Sequence, residues 1–161
     1  MTLTSTDDEA WLDAILDAVV SDIQMSGYFD QVNTHEPKRK PGSGLTAAVW
    51  CDGIRPVGAE SGLAISCAVV TFIVRIFTNM LAEPQDMIDP RMMKAVSNLI
   101  RRWHDNFDFD LDPVVRNVDL LGQASSGVNA QAGYLDMDGA LFRVFDITLP
   151  IICNDVWPQV P

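Results

Sequence analysis

The sequence is poor in positive charge and in histidine and has no long uninterrupted apolar run, and each shortage argues against a class of function. Eleven Lys and Arg stand against 22 Asp and Glu, for a formal net charge of −11 and a pI near 4.3. Non-specific grip on nucleic acid comes from neutralising phosphates with Lys and Arg, and attraction to anionic lipid draws on the same side chains. This balance disfavours both. The two histidines, His35 and His104, lie far apart and outside any HExxH or comparable zinc pattern. There is no GxSxG elbow, no GxxxxGK[ST] loop and no GxGxxG between a strand and a helix. A nucleophile needs a base within hydrogen-bond reach, and the sequence advertises no such pair, so neither catalysis nor a cofactor is expected. The three cysteines, Cys51, Cys67 and Cys153, each sit in an apolar strand-like run without a CxxC partner. They read as buried thiols in a reducing compartment. Met1 to Ala10 is polar and acidic, unlike a signal peptide. The most apolar stretch, Leu63 to Phe77, is broken by Ser66, Thr71 and Arg75, short of the roughly 20 apolar residues of a membrane span. Neither export nor a membrane is expected.

Some acidic groupings invite a chemical reading. Asp105, Asp108, Asp110 and Asp112 suggest a calcium loop, but the Gly at the sharp turn and the terminal Glu are missing. Phe107, Phe109 and Leu111 alternate with these acids as in a half-buried turn or strand, so no metal is assigned. Asp136 with Asp138, or Asp146 with another carboxylate, could share acid and base roles. A hairpin turn and a solvated strand face explain them more simply.

What remains is an ordinary globular composition, 48% hydrophobic and 20% charged over 161 residues, the size of one domain. Thr6 and Glu9 fit a capping box. Trp11, Leu12, Ile15, Leu16, Val19, Val20 and Ile23 then trace one face of a helix that Gly27 ends. Tyr28 to Gly44 is a long loop with a basic cluster, Lys38, Arg39 and Lys40, that stands out on an acidic chain. Leu45 to Ile54 reads as a strand, Pro56 to Gly62 as a turn and Leu63 to Thr78 as a second strand. In the latter the apolar phase changes midway, which requires a bulge near Val69 or burial on both faces. Asp89 and Pro90 open a second helix along Met92, Val96, Leu99, Ile100 and Trp103. Pro113 to Leu121 is a short strand, and Gly122 to Gly127 a polar loop.

The sharpest local signal is the C-terminal hairpin. Gln131 to Met137 and Ala140 to Cys153 are β-rich runs joined by Asp138-Gly139, the pair a type I′ turn requires. At about 3.3 Å per residue the second arm reaches roughly 45 Å, longer than the chain's own core needs. Pro150 cannot donate to a ladder, which marks the end of this arm as an edge. Phe145, Ile147, Leu149 and Ile151 on the arm, Trp157 beyond it and the Lys38 to Lys40 cluster are therefore the candidate contacts with other subunits. The expected fold is α+β: a mainly antiparallel sheet with two amphipathic helices packed on it, in a single domain over residues 1–161.

The ordered segments GYFDQVNTHEPKRKPG, GLTAAVW, VRIFTNMLAEPQDMIDP, VDLLG and AQAGYLDMDGALFRVFDITLPIICNDVW together resemble the tail terminator proteins of long-tailed bacteriophages, especially those infecting actinobacteria. The likeness covers nearly the whole chain after Gly27. It implies a non-enzymatic virion protein of the neck, assembled in the host cytoplasm as a homo-oligomeric, six-membered ring. That ring caps the head-proximal end of the tail tube, stops its growth and presents a surface for head-tail joining. The implied partners are further copies of the chain, the tail tube protein and the head-tail connector proteins. Double-stranded DNA passes through without specific binding, and a wall rich in carboxylates suits such passage. The Lys38 to Lys40 loop could dock on acidic surface of the ring below or the connector above. Head completion and tail completion proteins are also small, acidic α+β subunits and form the alternative, with a cellular binding module as the outside class.

Overall fold

The computed structural model describes residues 8–37, 44–58, 65–82 and 84–158. The fold is α+β, two helices on a curled, mostly antiparallel sheet. Helix α1 spans Ala10–Met25 and starts later than a box at Thr6 implies. Glu9 occupies the N-cap without a side-chain cap bond, and Thr6 lies outside the described residues. Ser26 follows, its amide bonded back to the Asp22 carbonyl at 3.1 Å, and Gly27 turns the chain away at φ +78°, a conformation glycine adopts without steric cost. Helix α2 spans Ile88–Asp105. A 3-10 turn, Gln85–Met87, leads into it, so Met87 and not Asp89 is the N-cap. The Asp89 carboxylate instead accepts from Arg143 Nε at 3.0 Å.

The strands are β1 (Gln31–Asn33), β2 (Thr46–Val57), β3 (Ile65–Asn79), β4 (Val115–Val118), β5 (Asn129–Met137) and β6 (Ala140–Pro158). Their order is β1-β2-β3-β6-β4, with β5 also paired to β6. β1, which falls in the expected loop, pairs parallel with Thr46 to Ala48, while the other pairings are antiparallel. β2 runs through Pro56 to Val57. Beyond Ala48 its outer side has no partner strand among the described residues, so the missing proline N–H costs no ladder bond.

One face of the sheet carries both helices. Ile15, Val19 and Ile23 of α1, with Met92, Leu99 and Trp103 of α2, form one core with Val70, Val74, Ile147, Leu149 and Ile151 of the central strands. On the opposite face Ala48, Phe77, Phe142 and Val144 make a second cluster, with Phe77 and Phe142 edge to face at 6.2 Å. Val57, Val69 and Ile152 make a third, against Ala124 of the loop after β4. Cys67 to Val70 are therefore buried on both faces, which accounts for the change of phase in β3. The bulges sit on the partner strands: Asp52 in β2, and Asn154 to Val156 in β6 opposite Cys67.

Pro150 corrects the sequence reading. It lies inside a central strand, buried and opposite Thr71 of β3, not on an edge. Its carbonyl accepts from the Asp119 amide at 2.9 Å on the β4 side. In an extended chain the N and O of one residue point to the same side, so the missing N–H faces the interval between the last β5 pair, at Thr148, and the first β4 pair, at Ile151. No ladder bond is lost there. Nor is the length of β6 surplus to the core: β3 pairs along it from Phe142 to Pro158, apart from the bulge.

Candidate functional site

β5 and β4 follow one another along one flank of β6, and the surface they build is where the described residues place most of their unusual features. At the hairpin end, Asp138 (φ 53°) and Gly139 (φ 78°) both adopt the left-handed backbone expected of the turn. The Gly139 amide donates to Asp136 Oδ1 at 3.2 Å. Arg143 holds this end to α2: its guanidinium pairs with Asp89 and lies 4.6 Å from the centre of the Tyr134 ring, a cation–π contact. Between the hairpin and the start of α2 runs a shallow groove of about 360 Å³ lined by Met80, Gln85, Ile88, Asp89 and Tyr134. Tyr134 is 61% exposed, and Leu81 (76%) and Leu141 are exposed close by, the Met80 amide bonding to the Leu141 carbonyl.

At the β4 end a buried acid organises a loop. Asp119, 1% exposed, accepts from the amides of Gly122, Gln123 and Ala124 and from the Ser125 hydroxyl at 2.7–3.1 Å. Burial alone pushes this carboxyl up, but the Ser125 hydroxyl and the three amides outweigh it and hold the group below its ordinary value. Gly127 closes the loop at φ +80°, where a Cβ would meet the Gly122 nitrogen at 3.0 Å and the Leu120 carbonyl oxygen at 3.1 Å. The loop presents Leu121, 92% exposed, and Phe107 is exposed beside β4, its carbonyl accepting from the Val118 amide at 2.7 Å. Sequence reasoning missed Asp119. The available signal was an acid followed by a Gly/Ser-rich loop, the composition of an Asx-type cap.

The back of the sheet holds a second unforeseen feature. Arg75 and Asp146 stand directly opposite on β3 and β6 and form a two-pronged pair at 2.7 and 2.9 Å. The Trp50 ring lies 5.1 Å from the Arg75 guanidinium. The hydrogen bond to Asp146 raises the Arg75 pKa against the opposing effect of burial. Such a pair holds strand register and charge but contains no free base or nucleophile.

The residues singled out from sequence are not brought together. Lys38, Arg39 and Lys40 lie outside the described residues. Ile147, Leu149 and Ile151 are fully buried in the core beneath the helices. The chain's own α1 and α2 cover them, so they offer no surface to a neighbour and are not docking contacts. Phe145 is half-buried under Arg143. Trp157 packs edge to face on Trp11 of α1 at 6.3 Å, so it closes the chain's own body. Cys51 is exposed, contrary to expectation, whereas Cys67 and Cys153 are buried. Burial, with Cys67 nearby, pushes the Cys153 thiol up to about 12. Asp108 and Asp110 are used in a turn, the Asp110 amide bonding to Asp108 Oδ1 at 3.0 Å and Asn106 to Asp110 at 3.2 Å. His104 Nδ1 lies 2.8 Å from the Ile100 carbonyl oxygen. Among the described residues no group of three His, Cys, Asp or Glu has the geometry to hold a metal ion, and no helix is long and apolar enough to cross a membrane.

No protein-family model matches the chain, and no curated protein matches it. Among solved structures it is similar to a chain from the virion of a native gene transfer agent particle, with a TM-score of 0.49 and 10% identity over 87% of this chain and 95% of that one.

Proposed function

We propose that this protein is a structural, non-enzymatic subunit of a phage-like virion, a tail terminator. It forms a homohexameric ring that caps the head-proximal end of the tail tube, stops its growth and presents the surface for head-tail joining. The ordered segments shared with tail terminators motivate the reading. The observation that carries it is the pair of exposed apolar patches at the two ends of the β5–β4 flank. Leu81, Tyr134 and Leu141 lie at the hairpin, and Phe107 and Leu121 at β4. At about 3.3 Å per residue, the stretch of β6 from Leu141 to Pro150 sets them roughly 30 Å apart. A subunit that must touch two different partners, tube on one side and connector on the other, needs two such separate surfaces. The two deserve equal weight: one patch alone would fit a simple dimer.

The test is electron microscopy of the purified protein, alone and with tail tube protein. Six-fold rings seated on tube ends are expected, and particles made without the protein should carry tails of uncontrolled length. Tails of normal length in its absence would end the terminator reading. Rings that bind connector but never tube would instead move the protein one layer up the neck.

A further inference from the structure

We infer that neighbouring copies in this ring are joined by the outer face of α1 on one copy and the outer face of α2 on the next, an acid-to-base contact. The inference rests on the ring reading above and names its lateral contact. Among the described basic side chains, Arg75, Arg102 and Arg143 are held by Asp146, Asp22 and Asp89. Arg116 donates to Asn154 Oδ1, and Arg55 to the Ala124 carbonyl. Arg91, Lys94 and Arg101 are left. All three are exposed on α2, and no described residue pairs with their charged ends. At 100° per residue they fall within an arc of roughly 80° that also carries the exposed Asp105 of the last turn, a stripe of net positive charge on an acidic protein.

α1 is the opposite surface. It contains no Lys or Arg. Its exposed arc carries Asp13 and Asp17, one turn apart, with the short side chains Ala10, Ala14 and Ser21 beside them. The only ion pair between the two helices of one chain is Asp22 to Arg102 at 2.8 Å, among the described residues. Asp13 and Asp17 are exposed and form no ion pair with a described residue. Long basic side chains meeting short acids across small residues let two helices approach closely while pairing charge. Two different, mutually complementary faces on one chain permit a heterologous contact, the kind that closes into a ring when the rotation between copies closes. Like charges at the wrong pairing would repel, so the same charges fix which face meets which.

The test reverses each face in the full-length protein. Arg91→Glu, Lys94→Glu and Arg101→Glu in one variant, and Asp13→Lys with Asp17→Lys in another, should each fold, by circular dichroism, and each lose the ring in microscopy and in native mass. Mixed in equal amounts the two variants should recover rings, since each supplies the face the other needs and a six-membered ring alternates evenly. If wild-type rings form and both reversed variants also form them, the contact is wrong and the ring reading survives. If each variant loses the ring and the mixture does not regain it, the pairing of these two faces is wrong. If the wild type forms no ring with or without tail tube protein, both readings fall. If the variant with Arg91→Glu, Lys94→Glu and Arg101→Glu loses binding to double-stranded DNA while keeping its rings, the stripe serves DNA and the contact is overturned.

Discussion

β5 and β4 occupy the same flank of β6, one after the other, and are built in opposite ways. β5 has nine residues and none is fully buried; its ladder with β6 runs from Asn129 to Met137 without a break. β4 has four residues, buried at both ends, with an extra residue, Arg116, in its ladder. The first is held mainly by backbone bonds and a turn that its own sequence dictates. The second is held by what surrounds it: Phe107 behind, the Asp119 loop ahead and the core beneath. Order on a sheet can thus come from local instruction or from tertiary packing, and one strand can receive both kinds of partner.

Four substitutions sharpen this contrast. The largest effect is expected where the two regimes meet over the core. Leu149 is fully buried between the last β5 pair and the first β4 pair. Leu149→Ala should cost about 2–5 kcal/mol in denaturant unfolding; a cost below 1 would mean this junction is not tightly packed. Next comes Asp119→Ala, which leaves three loop amides without their acceptor and should cost roughly 1–3 kcal/mol. Because the Asp119 pKa is lowered in the folded protein, its contribution is fully present above the ordinary carboxylate value of about 3.9. That contribution is lost as pH falls through the depressed folded value. The stability gap between wild type and variant should therefore narrow only below about pH 4, and a gap that narrows near neutrality would count against this account. The smallest effect compares two glycines in the same left-handed backbone. At Gly139 nothing lies within 4 Å of an added Cβ, whereas at Gly127 three backbone atoms do. Gly139→Ala should cost roughly 1 kcal/mol and Gly127→Ala distinctly more; equal costs would remove packing as the cause.

The hairpin was legible because its instruction is local: Asp138-Gly139 fixes the turn, and alternation fixes the faces. The helices were legible from periodicity and the end of α1 from Gly27, although the start of α2 was not, since Asp89 is drawn to Arg143 rather than to its own helix. β1 was missed because three residues, Gln31–Asn33, carry no periodic signal and gain order only by pairing with β2. Ile147, Leu149 and Ile151 proved to be core for a related reason. Apolar residues on a long strand mark burial, but whether a helix of the same chain or another subunit does the burying depends on where α1 and α2 come to rest. Asp119 and the Arg75–Asp146 pair were hidden because their partners lie in loops or on a distant strand. The outer faces of the helices could be sorted only after the paired charges had been separated from the unpaired ones.

Pro150 has one more consequence. A flank on which two strands queue along a third is open to slippage, because either could grow at the other's expense. With no N–H to offer at that point and its carbonyl already taken by the Asp119 amide, Pro150 gives an extending β5 no free ladder bond past Thr148 and gives a sliding β4 no donor past Ile151. A single proline thereby acts as a punctuation mark in the hydrogen-bond script of the sheet. It keeps the two exposed patches at a set spacing.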